Sequence, residues 1–170
     1  MTFLEARNAI ITGLESHIGC PVVLSDQIAD MPGFPYCYYS VLATRSAGHA
    51  FGMITQSESR TIREEPAEAT MSFTFCSENR EDGVEYIFGE DEAINLCELG
   101  HGFFLLNAHG FDLESGNVVV RDVGAVTNRS GFLLEDTIRR YGFDVRIAYT
   151  RTDEMAALPV KKAGKIIHNR

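Results

Sequence analysis

The sequence predicts an α+β fold, a single domain in which a mainly antiparallel sheet has two helices packed on one face. Two segments repeat apolar residues every three or four positions, which is typical of amphipathic helices. Several others alternate apolar and polar residues, which is typical of half-buried strands. The 170 residues are 45% hydrophobic, enough for one core. No internal repeat or linker-like stretch divides the chain.

The first predicted helix covers residues 2–18. Thr2 can cap its N-terminus, with Glu5 three positions later completing a capping box, and Gly19 follows as a stop. Its apolar stripe consists of Ala6, Ile10, Ile11, Leu14 and Ile18.

Strand-like segments separate this helix from the second. Residues 21–24 predict an edge strand because Pro21 cannot donate to a ladder, and residues 36–44 predict a second strand by composition. The small residues of 46–56 indicate a mobile loop or arm. Residues 57–65 and 68–77 predict a long hairpin of two strands around Pro66, followed by a polar turn at 78–83.

The second predicted helix covers residues 90–108, with three acids in its first turn suiting the helix dipole. Gly100 and Gly102 weaken it and suggest a kink or a close approach of another backbone. Its predicted buried face consists of Ala93, Leu96, Leu99, Phe103 and Leu106.

The segment 128–150 is the unit that the upstream elements support. A strand at 117–126 leads to a polar turn, a charged segment and a final strand. That strand alternates five apolar or aromatic residues against polar ones. The domain is therefore predicted to span residues 1–152. The irregular segment 153–170 is expected to be a basic tail, flexible or docked on a neighbour. The inward residues of the final strand are Tyr141, Phe143, Val145, Ile147 and Tyr149.

Charge and hydropathy exclude several classes of protein. A net charge of −9 argues against a reader of nucleic-acid grooves, although an acidic wall can let DNA pass without holding it. No apolar run approaches the roughly 18 residues that span a bilayer, and the N-terminus does not resemble a signal peptide. The four cysteines lack metal-site spacing, which favours buried free thiols in a cytoplasmic protein.

Candidate catalytic groups are sparse. Glu98 and His101 have the spacing of one metal-ligating pair, but carboxylate-bridged sites need that pair twice. Nucleotide-binding and nucleophile motifs are missing, and acids beside arginines are typical of ion pairs. We therefore predict no catalytic, metal or cofactor site and no enzyme activity.

The more informative candidates are interface residues, because arginine and tyrosine are favoured at protein interfaces. Arg139 and Arg140 are predicted to form either a solvated face or a contact with another subunit, and Tyr36 and Tyr38 either strand packing or an aromatic rim. The further candidates for subunit or partner contacts are Arg129, Asp144 and Arg146.

Three features carry a family resemblance. They are an I-x-x-L step in the first helix, the Phe34-Pro35-Tyr36 start of a strand, and the ending in which Asn128-Arg129 precedes RRYGFDV at 139–145. Together they resemble the tail-terminator, or neck, proteins of long-tailed bacteriophages and phage-like elements. The likeness covers nearly the whole chain in element order, but only the ending is specific.

The resemblance implies a small α+β subunit of the virion tail or neck, assembled in the host cytoplasm. Such subunits close into a homo-oligomeric ring, typically of six, that caps the tail tube, ends its polymerisation and offers a joining surface to the head–tail connector protein. DNA would pass through the lumen without specific binding, and no membrane is involved. The alternatives are a head-completion or connector protein of the same assembly, or a small enzyme or ligand-binding domain using Glu98 and His101.

Overall fold

The computed structural model describes residues 1–27, 30–46, 52–57, 59–107, 110–113, 116–131 and 137–156. It confirms the α+β class, with a large, mainly antiparallel sheet and helices on one face. The helices are α1 (Phe3–Ile18) and α2 (Gly89–Leu106). The strands are β1 (Val22–Leu24), β2 (Tyr36–Ser46), β3 (Met53–Gln56), β4 (Arg60–Ser77), β5 (Arg80–Asp82), β6 (Glu85–Ile87), β7 (Phe111–Leu113), β8 (Gly116–Val123), β9 (Thr127–Asn128) and β10 (Arg139–Ala156).

The large sheet has the strand order β1-β2-β4-β10-β8-β7, with β3 added beside β4 and β9 beside β10. β1 pairs with β2 in parallel, and the other pairs are antiparallel. The edge position predicted for the strand at 21–24 is therefore confirmed. β5 and β6 form a separate two-stranded hairpin.

Helix α1 forms as its local sequence predicts. The Glu5 amide donates to Thr2 Oγ1 (3.3 Å) and the Thr2 amide donates to Glu5 Oε2 (2.7 Å), which completes the capping box. Gly19 ends the helix at φ 71°, a conformation that costs glycine little. The fully buried stripe consists of Ala6, Ile10, Leu14 and Ile18, with Ile11 partly buried beside it.

Aromatic side chains from β4, β10 and α2 form the centre of the core. The Phe73 ring lies 5.1 Å from that of Phe104 and 6.1 Å from that of Phe143, and all three are fully buried. Each such side chain contributes roughly 1.5–3 kcal/mol through burial. The period-two pattern of β10 is confirmed, since its odd-numbered positions from 143 to 149 are buried and Asp144, Arg146 and Thr150 are exposed.

The buried face of α2 differs from the prediction. Ala93, Leu96 and Phe103 are buried, but Leu99 and Leu106 are 42% and 77% exposed. The stripe passes instead through Cys97, Gly100 and Phe104. A Cβ on Gly100 would lie 2.3 Å from the Phe75 ring, so this glycine permits close helix–sheet packing. The expected close approach is therefore to an aromatic ring, whereas Gly102 has no atom within 4 Å of that position.

The hairpin predicted around Pro66 is wrong, because residues 60–77 form the single strand β4. The bond from the Ser57 amide to the Arg60 carbonyl (2.8 Å) fixes the alternation of the ladder. Along β4, the backbone hydrogen-bonding groups of even-numbered residues therefore point towards β2 and β3. Pro66 is one of these residues. The β2 partners stop at Ala67 and the β3 partners at Glu64, so no donor is needed there. A proline is compatible with that gap.

Four further segments differ from the prediction. The loop expected at 46–56 contains β3, which pairs with the start of β4, although residues 47–51 lie outside the described part. The expected turn at 78–83 belongs to the β5–β6 hairpin. β10 continues to Ala156, past the expected start of the tail, and residues 157–170 lie outside the described residues. The strand expected at 117–126 ends at Val123 and is followed by the separate β9.

The four cysteines are buried and form no disulfide in the structure, as the sequence predicts. Burial raises the pKa of Cys20 to about 11 and of Cys97 to about 12. These thiols belong to the packing of the core.

Candidate assembly surfaces

The sheet face opposite the helices brings together six of the seven interface candidates. Tyr36 and Arg140 both pair with Cys76, and Tyr38 pairs with Thr74. Further along the same face, Asp144 pairs with Ser72, Arg146 pairs with Thr70, and Arg129 reaches over from the loop after β9. We call this surface the outer face. Arg139 is the exception, because its register places it on the helix side, next to Tyr141 in alternation.

Arg129 binds the outer face of its own subunit. Its Nη1 donates to Ser72 Oγ (2.7 Å) and Thr74 Oγ1 (2.9 Å), and its Nη2 donates to Asp144 Oδ1 (2.8 Å). A Cβ on Gly142 would lie 2.9 Å from the guanidinium carbon, so the absent side chain leaves room for it. Arg129 therefore joins β4, β10 and the loop after β9.

Asp144 completes this cluster. Burial alone would raise its pKa, but hydrogen bonds from Ser72 and Arg129 outweigh burial and lower the pKa below its ordinary value. Ser72 Oγ donates to the same carboxylate oxygen at 2.7 Å. The aspartate is therefore ionised at neutral pH and electrically matched to Arg129.

The remaining outer-face candidates differ in exposure. Tyr36 is only 7% exposed, because the Phe34 ring stacks on it at 5.3 Å, and burial raises its pKa to about 12. Tyr38 is partly exposed. Arg146 is exposed and lines an open cleft with Thr70 and Asp122. The side chains most available to a partner are therefore Arg146 and Tyr38.

A second surface is formed where the sheet extends past the helices. We call β3 together with residues 60–65 and 151–156 the arm. On its helix side, Arg63 pairs with Asp153 (3.1 Å) and with the buried Glu65, and Arg151 also lies beside both acids. These charged positions continue the rows that carry Ala67 and Tyr149 in the core. On the helix side of the arm, an ion-pair network therefore takes the place that apolar side chains have in the core.

The outer strand of the arm, β3, has an open edge. Its sequence MITQ contains no charge and no proline, and all four side chains are exposed. Met53 and Ile54 are 63% and 59% exposed. In the described part of the chain β3 pairs only with β4. Natural edge strands usually carry charges, prolines or bulges that prevent pairing with another chain, and this strand carries none of them.

A third surface is the β5–β6 hairpin, which sequence reasoning missed. Val84 at its tip is fully exposed, and Tyr86 and Phe88 are 52% and 60% exposed. A bidentate ion pair holds the hairpin on α2, with Arg80 Nη1 and Nη2 2.7 and 2.8 Å from the Glu92 carboxylate. The signal that could have found it was Asp82-Gly83, a common hairpin-turn dipeptide, with Gly83 at φ 66°.

The described histidines that were candidates for metal or catalytic chemistry pack against other parts of the fold. The His101 ring nitrogen Nε2 lies 3.2 Å from the Gly124 carbonyl oxygen, and its ring meets Phe143 edge-on at 5.1 Å. Glu98 is exposed. His17 packs against Phe103 at 5.4 Å. Within the described ranges, no three acidic, histidine or cysteine side chains come together as a metal site. His49, His109 and His168 lie outside these ranges.

Neither helix in the described part of the chain combines the length and apolar character needed to cross a bilayer. A family model described as phage neck terminator protein matches residues 8–169 of the 170. No curated protein matches the chain significantly.

Proposed function

Because the chain belongs to the phage neck terminator family and is thus a structural component of the phage tail and neck, we propose that it forms a ring that caps the tail tube. The ring ends tube polymerisation and presents the surface to which the head–tail connector protein joins. It is assembled in the host cytoplasm from identical subunits, six in the simplest arrangement, and DNA passes through its lumen.

The observation that carries this proposal is the open edge of β3. An uncharged, exposed strand without proline supports addition of a strand from another chain, in which backbone hydrogen bonds give affinity. Such an edge invites aggregation in a free monomer and is used in a closed assembly. The ion pairs on the helix side of the arm support the same view, because they hold this part of the sheet together without a core.

The outer face supports a second contact in the same ring. A ring needs two different patches per subunit, related by a rotation that closes. Arg146 and Tyr38 are available on this face, Arg140 lies on it at the start of β10, and Arg139 lies next to Arg140 on the helix side. We propose that these residues contact the neighbouring subunit of the ring. Arg129 and Asp144 keep the outer face rigid through their mutual ion pair.

The overall charge suits a ring that DNA crosses. A net charge of −9 per subunit repels phosphate and disfavours retention of DNA in the lumen. The tube protein and the connector protein are then the partners bound on the two sides of the ring.

The test is a capping assay with a matched pair of variants. In the β3–β4 ladder, successive backbone amides of β3 point alternately towards β4 and away from it. The Thr55 amide points towards β4, so the Gln56 amide points to the open edge. Gln56→Pro removes that donor, and Gln56→Ala keeps it. We expect the wild-type chain and Gln56→Ala to form a ring-sized species and to shorten tubes assembled from tail-tube protein. Gln56→Pro should assemble at least about tenfold more weakly, the loss expected from removing interface hydrogen bonds.

Light scattering gives the mass of the ring, and electron microscopy gives the tube lengths and shows the caps. A wild-type chain that stays monomeric at high concentration and never binds or shortens tubes would contradict the proposal. A ring that binds only connector protein and leaves tube length unchanged would contradict the capping role. Equal assembly of the proline and alanine variants would remove the β3 edge from the interface.

A further inference from the structure

The distribution of lysine in this chain is uneven. Its three lysines, Lys161, Lys162 and Lys165, all lie in residues 157–170, and every basic residue before Ala157 is an arginine. This segment also contains Arg170 and no acid. Since the whole chain carries −9 and the segment +4, residues 1–156 carry −13. The segment therefore has a strong electrostatic reason to bind the acidic body of a subunit.

Among the exposed surfaces, the β5–β6 hairpin best complements the charge and apolar composition of this segment. Val84, Tyr86 and Phe88 form an exposed apolar cluster, with the Tyr86 and Phe88 rings 5.0 Å apart and edge-on. Acids surround it, since residues 78–92 contain seven acids and one arginine. The segment 157–170 has the complementary composition, with lysines followed by Ile166 and Ile167.

The arm is a weaker match although the segment follows it directly. Three of its four acids are already in ion pairs within the described chain, Glu65 and Asp153 with Arg63 and Arg151, and Glu154 with Arg60 at 2.9 Å, which leaves Glu64. By contrast, the described residues supply no ion-pair partner to Glu81, Asp82 or Glu85 on the hairpin, where Arg80 binds Glu92.

Geometry excludes the hairpin of the same subunit. Ala156 pairs with Arg60 at the start of β4, and the hairpin follows Ser77 at its end. Eighteen residues of strand place these two ends about 55 Å apart. Nine residues of fully extended chain carry Lys165 only about 32 Å from Ala156. The lysines of one chain therefore cannot reach its own hairpin, and a hairpin that they bind must belong to another copy.

We propose that residues 157–170 of one subunit bind the β5–β6 hairpin of a neighbouring copy, with lysines beside Glu81, Asp82 and Glu85 and isoleucines against Val84, Tyr86 and Phe88. The inference rests on the proposed ring. It adds to that ring a contact between two different patches, at opposite ends of β4, and two different patches are what a heterologous interface uses.

Zero-length coupling of amines to carboxylates tests the proposal on the full native chain. The chain has three lysines and one N-terminal amine, so nearly every product reports on residues 157–170. Rings are formed from a mixture of isotope-labelled and unlabelled chains, coupled, digested and analysed by mass spectrometry. We expect mixed-isotope peptides that join Lys161, Lys162 or Lys165 to the acids at 81–85.

Two variants separate the apolar contact from simple proximity. Val84→Ser with Tyr86→Ser should lower the yield of these peptides roughly threefold or more, because exposed apolar area leaves the contact. Leu106→Ser is the matched control, since Leu106 is 77% exposed at the far end of α2, and its yield should equal that of the wild type.

Rings that cap tubes but yield only same-chain products, products at other acids, or free lysines would overturn this inference and leave the proposed function standing. Lysines that become protected only when DNA is added would also overturn it, in favour of a lumen contact. The absence of rings and of capping would overturn the proposed function and this inference together.

Discussion

The two halves of the β4–β10 ladder differ in the side chains that they carry on the helix side of the sheet. From Ala67 to Phe75 the helix-side positions of β4 are apolar and belong to the core, and Phe73 and Phe75 are fully buried. From Arg60 to Glu65 the same side carries Arg63 and Glu65, bound to ions of β10. One half belongs to the core, and the other half extends the sheet beyond the core to the β3 edge that we propose as a contact surface.

The largest expected effect on stability is in the half of the ladder that belongs to the core. Phe73→Ala should cost about 3–5 kcal/mol of the free energy of unfolding, because it leaves a cavity among Phe104, Phe143 and Tyr39. Ile54→Ala in the arm should change it by less than about 0.5 kcal/mol, because that side chain is 59% exposed. Urea unfolding of both variants measures the difference. Comparable losses would show that the arm has a core of its own.

A smaller effect is expected for polar contacts on the outer face. Arg129→Met should cost about 1–3 kcal/mol, because Ser72, Thr74 and the Asp144 carboxylate lose a shared donor. The matched change in the arm is Arg60→Met, which removes an ion pair whose side chains are both more than half exposed and should cost under about 1 kcal/mol. Thermal unfolding of the two variants ranks the two losses of stability. A larger loss for Arg60→Met would contradict the role of Arg129 in joining β4, β10 and the loop after β9.

The smallest effect is a pH dependence in the same cluster. The folded pKa of Asp144 is depressed, so its contribution to stability is present above the ordinary aspartate pKa of about 3.9 and is lost as the pH falls through the lower folded value. Asp144→Asn should therefore flatten the acid limb of the stability curve, measured by urea unfolding between about pH 5 and pH 2. An unchanged acid limb would contradict the hydrogen bonding described for Asp144.

Local patterns predicted those elements whose signals are local. The capping residues of α1 and the alternation in β10 lie within a few residues of what they determine. The burial of Gly100 in α2 depends on Phe75 in β4, and an apolar pattern does not indicate it because glycine has no side chain. The sequence predicts a break at Pro66, because local patterns do not show that the ends of β2 and β3 leave a gap in which a continuous strand accommodates proline.

The candidate interface residues were identified by type, and the structure adds the face they share. Arg129 finds Ser72 and Thr74 at separations of 57 and 55 residues, which no local pattern encodes. The register of β10 against β4 places Arg140, Asp144 and Arg146 on one side and Arg139 on the other. Their contacts with a neighbour stay a prediction, which the capping assay and charge reversals at Arg139 and Arg140 address.

Native-state amide hydrogen exchange tests the comparison most directly, in the free subunit and in the capped tube. The account predicts that amides of β4 from Ala67 to Ser77 are strongly protected in both states. The outward amides of β3, at Ile54 and Gln56, should exchange quickly in the subunit and become protected on assembly. A β3 edge already as protected as the core in the free subunit, or still unprotected in the capped tube, would contradict it.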